Sequence, residues 1–151
     1  MRINYSTDLT SSLYGDSLTI RQEVFIKEQG VPLSQEIESE EGCTYFVIYD
    51  RGFPCGTART FPLTSSTLKL QRFAVLKAYR KQGIGQRLIK AILKSATKNG
   101  YQELVLDAQT HAIGFYKKFG FEVISEEFLD AGILHRRMRC VLSALPSTSN
   151  D

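Results

Sequence analysis

The first residues with the types and spacing for chemistry are Arg80-Lys81-Gln82-Gly83-Ile84-Gly85. Two closely spaced glycines let a ligand approach the backbone where a Cβ would stand in the way. The stretch that follows, Ile84 to Asn99, has helical periodicity. Ile84, Leu88, Ala91, Ile92, Ser95 and Ala96 fall on one side, and Arg87, Lys90, Lys94 and Lys98 on the other. The glycines therefore sit where a helix begins. The first amides of a helix lack internal partners and carry roughly +0.5 of charge, which favours a phosphate. Arg80, Lys81 and Arg87 add full positive charge. A basic surface turn with a glycine cap would use the same letters. A Walker loop is excluded, because Gly83 is not followed by Gly-Lys-Ser/Thr. A dinucleotide-binding turn fits Gly83-x-Gly85 and finds an acid in Asp107. Against it, Leu88 stands where the third glycine belongs, and the approach from Val75 is too long.

The elements that position this loop follow from the same pattern. Arg2 to Tyr5 reads as a first strand. Leu9 to Glu28 is helical in its second half, with Leu13, Ile20 and Val24 on one face, and Gly30 and Pro32 stop it. Thr44 to Tyr49 and Cys55 to Phe61 read as a hairpin about Asp50-Arg51-Gly52, and Thr67 to Val75 as a third strand. Glu103 to Asp107 is a short apolar strand. A second helix is expected from about Thr110 to Phe119, then strands over Phe121 to Glu127 and His135 to Leu142. Antiparallel strands come first, then strand-loop-helix-strand-helix, then two strands. This predicts a mixed α/β domain over 1–145 with a polar, disordered tail over 146–151.

Composition sets bounds. A chain of 151 residues with 42% hydrophobic content suits one core. The net charge of +3 does not argue for nucleic acid. Cys43, Cys55 and Cys140 have no paired spacing, which suggests reduced thiols and a cytoplasmic setting. No apolar run reaches the roughly 20 residues of a membrane helix. His111 and His135 are the only histidines and lie in no metal-ligand pattern, so no metal is expected.

Arg80-x-x-Gly83-x-Gly85 resembles the acetyl-CoA signature of the GNAT superfamily of N-acetyltransferases. Gln71 to Leu76 is similar to the strand before that signature, and Ala112 to Phe121 to its second motif. Arg21-x-x-Val24-Phe25-x-x-Glu28-Gln29-x-Val31-Pro32 and Asp130-Ala131-Gly132-Ile133-x-His135 resemble the ElaA/YjcF-like subgroup. The resemblance implies a mostly antiparallel, twisted sheet of about six to seven strands with helices on both faces. It implies acetyl transfer from acetyl-CoA to a primary amine. The cofactor would lie along Phe73, Ala74, Val75, Arg80, Lys81, Gln82, Gly83, Ile84, Gly85 and Gln109. Gln109 replaces the asparagine that many members carry there. Arg21, Phe25 and His135 would line the acceptor site. The acceptor would be a small-molecule or peptide amine, and a homodimer would match many members. A non-catalytic acyl-CoA binding or sensing module on the same fold is the alternative.

The expected reaction sets physical demands. An alkylamine with a pKa of about 10.4 costs roughly 4–5 kcal/mol to deprotonate at pH 7. Glu28 is the candidate base or ammonium-binding group, though a helix-end glutamate is often only solvated. Tyr45 stands where the subgroup often has a histidine base. The run Glu36, Glu38, Glu40 and Glu41 could draw in a cationic amine, yet such runs are more often solvated loops. In the family a strand amide, here near Ala74 or Val75, would hold the oxyanion. Tyr116 matches the tyrosine near the leaving sulfur. A phenol is a weaker acid than a thiol, so Tyr116 would mainly donate a hydrogen bond to developing charge.

Overall fold

Residues 1–145 are described by the computed structural model, and the tail expected over 146–151 lies outside the described residues. In chain order they form β1 (Arg2–Ser6), α1 (Ser12–Arg21), α2 (Leu33–Glu36), β2 (Thr44–Asp50), β3 (Phe53–Pro62), β4 (Thr67–Val75), α3 (Ile84–Lys98), β5 (Glu103–Gln109), α4 (Ile113–Lys117), β6 (Glu122–Val123), β7 (Phe128–Asp130) and β8 (Ile133–Val141). The sheet runs β1-β2-β3-β4-β5-β8-β6, with β7 paired to β8. Only β4 and β5 are parallel; every other pairing is antiparallel.

The run Tyr45-Phe46-Val47-Ile48-Tyr49 is buried throughout because both sheet faces are covered. Tyr45, Val47 and Tyr49 pack with Leu13, Ile20 and Val24 on the α1 side. Phe46 faces the other way, onto Leu88, Ile89 and Ile92 of α3. Full burial of such side chains stabilises by about 1.5–3 kcal/mol each. The buried stripe of α3 includes Ile89 and Leu93 in place of the expected Ala91 and Ser95. The sheet has eight strands, one more than the upper expectation. Of the segment read as one strand from Phe121 to Glu127 only Glu122–Val123 is strand, as β6; the chain leaves the ladder near Ser125, whose hydroxyl accepts from the Arg137 amide, and a separate short strand, β7, follows that segment. The second helix is shorter than expected: a 3₁₀ turn over Thr110–Ala112 leads into α4.

Two irregularities shape the site. Pairing of β3 with β4 steps from Thr57↔Ala74 to Arg59↔Gln71, so Ala58 faces two residues, Arg72 and Phe73. This is a β-bulge, and Arg72 takes φ +54° within it. One extra residue inverts the side-chain alternation. Phe73 joins the core of Leu68 and Leu70 on the α3 side, and Ala74 turns to the α1 side. Parallel pairing of β4 with β5 stops at Leu70↔Leu106, where the bulge begins. Beyond it β4 and β5 part, leaving a gap in the sheet. The second irregularity follows α1, whose chain continues as a π-helical segment over Gln22–Glu28. The Gln29 N–H reaches back five residues to the Val24 carbonyl at 3.2 Å. Wide turns of this kind recur at functional sites, and this one brings Phe25, Glu28 and Gln29 onto the gap. No described helix is long and apolar enough to cross a membrane.

Candidate active site

The gap opens on the N-terminus of α3. Gly83 caps that helix at φ +79°, with no side chain bonding the first amides. A Cβ on Gly83 would meet no described atom within 4 Å, so the space above it is open. A Cβ on Gly85 would sit 3.4 Å from the Phe115 ring. The free amides, the open cradle and Arg80 and Lys81 beside it fit a diphosphate. Gln82 turns aside, its Nε2 donating to the Ala78 carbonyl at 3.0 Å.

Arg80 is already engaged. Its Nε donates to the Val75 carbonyl at 2.9 Å, and its Nη1 and Nη2 donate to Glu28 at 2.9 and 2.6 Å. The base candidate and a phosphate-ligand candidate are thus one bidentate ion pair across the mouth of the gap. The backbone of β4 has a defined direction there. The Leu76 N–H donates to the Cys55 carbonyl on β3 at 2.9 Å. Adjacent strand residues point their backbone groups to opposite edges. The Val75 N–H therefore faces the gap, and the Ala74 N–H faces β3.

Tyr116 is 7% exposed and lies in a cage of rings, with Phe73, Phe115 and Phe121 at centroid distances of 5.8, 5.1 and 5.8 Å. Burial pushes its hydroxyl well above the ordinary tyrosine range. Below about pH 10 it is therefore a neutral hydrogen-bond donor.

Phe25, Glu28 and His135 line the same cleft from the α1 side. The Nδ1 of His135 lies 2.7 Å from the Ile133 carbonyl. A carbonyl only accepts, so Nδ1 is the donor in this contact. The ring stacks on Phe128 at 6.0 Å. Gln109 does not wait free for a ligand: its amide pairs with that of Gln29, at 2.9 Å in one direction and 3.4 Å in the other.

Arg21 is a correction. It is 1% exposed, does not line the cleft, and spends its donors on Glu36 and Glu40. It holds the loop behind the acceptor side and does not reach an acceptor. The acidic run divides: Glu38 and Glu41 are exposed, whereas Glu36 is 1% exposed and both Glu36 and Glu40 are paired with arginines. Sequence reasoning did not assign Gln29, Arg59 or Arg72 to the site. The available signal was charge in the middle of strands: Arg59 and Arg72 interrupt segments otherwise suited to burial. Asp107, weighed above as a ribose acid, bonds Arg137 at 2.8 Å and lies 3.4 Å from Lys69 Nζ. The antiparallel sheet removes the dinucleotide reading.

The cleft is continuous from Gly83 to His135 and holds about 1440 Å³. A single small-ligand site usually needs roughly 300–1,000 Å³, so two substrates have room to meet here. An open α/β sheet parted at one parallel pair, with a glycine-capped helix at the mouth, defines an acyl-CoA-dependent transferase. The chain belongs to the GNAT acetyltransferase family: residues 10–142 match the family model described as an acetyltransferase (GNAT) domain. It is 45% identical over 125 residues to the uncharacterized N-acetyltransferase YjcF of Bacillus subtilis, covering 82% of this chain and 89% of that protein. Its fold is similar to that of a Lactobacillus plantarum protein described as an N-acetyltransferase, with TM-score 0.86, 26% identity and coverage of 93% and 97%. The fold of Escherichia coli ElaA is also similar, with TM-score 0.81, 24% identity and coverage of 92% and 99%. The protein is accordingly an acetyl-CoA-dependent N-acetyltransferase, related in sequence to YjcF.

Proposed function

We propose that this protein transfers acetyl from acetyl-CoA directly to a primary amine held between Glu28 and His135. The supporting observation is the parting of β4 from β5, with the Val75 N–H facing the gap and Tyr116 at its wall. The free amides of α3, with Gly83, Ile84, Gly85, Arg80 and Lys81, receive the diphosphate. Phe73, Ala74, Val75 and Gln109 flank the acyl-bearing arm. Binding draws Arg80 toward the diphosphate and loosens its hold on Glu28. The Glu28 carboxylate then accepts a proton from the ammonium. The amine nitrogen forms a bond to the thioester carbonyl carbon, and the Val75 N–H donates to the oxyanion. The carbon–sulfur bond breaks, and Tyr116 donates a hydrogen bond to the departing sulfur. The acylated nitrogen gives up its surplus proton to solvent, which protonates the thiolate, and Glu28 returns its own proton to solvent; the products are the N-acetyl amine and the free thiol.

The test is a thiol-release screen over amino acids, amino sugars, polyamines and peptides at fixed acetyl-CoA. Release that depends on the amine supports transfer. Cofactor binding without release from any amine leaves the acyl-CoA binding module as the reading.

Gly83→Val is expected to weaken acetyl-CoA binding at least tenfold, by about 1.4 kcal/mol or more. The cause has two parts: a β-branched residue is strained at φ +79°, and its methyls enter the open cradle. Titration calorimetry checks it, and native affinity would remove Gly83 from the site.

A further inference from the structure

At one end of the cleft three arginines gather over carboxylates that leave some of their donors unused. Three guanidiniums, Arg21, Arg59 and Arg72, gather around two buried or half-buried carboxylates, Glu36 and Glu40. Arg21 is saturated by them. The other two are not. Arg59 is 1% exposed. Its Nε donates to Gln71 Oε1 at 3.1 Å, and its Nη1 donates to the Glu38 carbonyl at 3.2 Å and to the Glu40 carboxylate. Its Nη2 donates to no described residue. Every buried side-chain polar atom among the described residues has a partner. That Nη2 therefore reaches the surface of the cleft, which Arg59 lines. Arg72 projects from the bulge one residue beyond Gln71. Its Nε and Nη2 donate to the carbonyls of Glu36 and Gln35 at 3.3 and 3.0 Å, and its Nη1 donates to no described residue. Burial, only partly offset by Glu36 and Glu38, holds the Arg72 pKa below the ordinary arginine value, and Arg59 and Arg21 add repulsion.

A guanidinium nitrogen left without a protein partner at the wall of a cavity, buried for Arg59 and half-buried for Arg72, is costly unless something fills the place beside it. A carboxylate or phosphate oxyanion is the chemistry that matches such donors. Glu38 and Asp130 also line the cleft, but both are exposed and neither bonds Arg59 or Arg72 through its side chain.

We propose that the acceptor is an amine that also carries an oxyanion, a carboxylate or a phosphate, and that Arg59 and Arg72 seat that group. This rests on the amine-acetyltransferase reading above. It disfavours polyamines, whose second ammonium would face these arginines. It also reverses the first impression left by the acidic run, since Glu36 and Glu40 are consumed in holding the arginines.

The experiment uses two matched pairs of amines with acetyl-CoA fixed: β-alanine with β-alaninamide, and O-phosphoethanolamine with ethanolamine. The first pair reads the carboxylate and the second the phosphate. The anionic member of at least one pair is expected to have about tenfold or higher kcat/KM, the range of a charged hydrogen bond. Arg72→Gln is expected to reduce that anionic-to-neutral ratio at least fivefold, and Arg72→Lys to give an intermediate ratio, keeping charge without the fork. Equal rates within both pairs, a higher rate with a diamine, or equal losses for both members in Arg72→Gln would overturn the proposal. If no amine releases thiol, calorimetry with CoA present still decides it. Binding of the anionic member alone, lost in Arg72→Gln, supports the seat while the transfer reading fails. No binding of either member overturns it.

Discussion

Tyr116→Phe is expected to lower kcat about 10²-fold while acetyl-CoA affinity stays within about threefold. The substitution removes one oxygen and keeps the ring that Phe73, Phe115 and Phe121 enclose. Packing, and with it the fold, is therefore retained. In the proposed mechanism, what is lost is a donor to the sulfur as charge develops. A hydrogen bond to a charged partner contributes about 1.5–3 kcal/mol, and each 1.36 kcal/mol is tenfold in rate, which gives roughly 10- to 150-fold. Because burial raises the hydroxyl pKa, the wild-type rate should not fall from tyrosine ionisation anywhere below about pH 10. A continuous thiol-release assay across pH 6–10 reads both statements. Turnover unchanged in Tyr116→Phe would reduce the residue to core packing.

The cofactor end was more legible in the sequence than the acceptor end, for a physical reason. Gly83, Gly85 and the α3 periodicity are local features, and local spacing sets a helix start and its free amides. The strand over Thr67–Val75 was readable at both ends. The bulge inside it was not, because Arg72 takes a positive φ without a glycine or asparagine to announce it. That bulge opens the gap and chooses which face Phe73 and Ala74 occupy. The π-helical turn was equally silent: Gln22–Glu28 has ordinary helical letters. Arg21 and the acidic run misled for a third reason. Arg21 bonds Glu36 and Glu40 at separations of 15 and 19 residues, and Arg59 bonds Glu40 across 19. Charges that look solvated in a window of ten residues are internal once the chain folds back.

That buried network carries the largest expected stability effect. Arg21→Met should destabilise the protein by about 3 kcal/mol, the lower end of the range for breaking a buried ion pair. The lower end applies because Arg72 remains 3.3 Å from Glu36 and Arg59 remains bonded to Glu40. For a chain of this size the melting temperature should fall by roughly 6–12 °C, at about 2–4 °C per kcal/mol. A pH signature separates lost charge pairing from lost packing. Burial alone would raise the Glu40 pKa, but Arg21 and Arg59 outweigh it and hold the carboxyl at about 2, against an ordinary 4.5. A depressed folded-state pKa stabilises fully above the unfolded value and loses that stabilisation as pH falls through the folded value. The wild type should therefore lose up to about 3 kcal/mol between pH 4.5 and 2 through this group. Arg21→Met should show a shallower loss over the same window, because its Glu40 titrates closer to the unfolded carboxyl. Urea unfolding at pH 7 and melting between pH 6 and 2 measure the two effects. An unchanged urea midpoint, or parallel pH curves for the two proteins, would show that Arg21 is not the group that holds this loop.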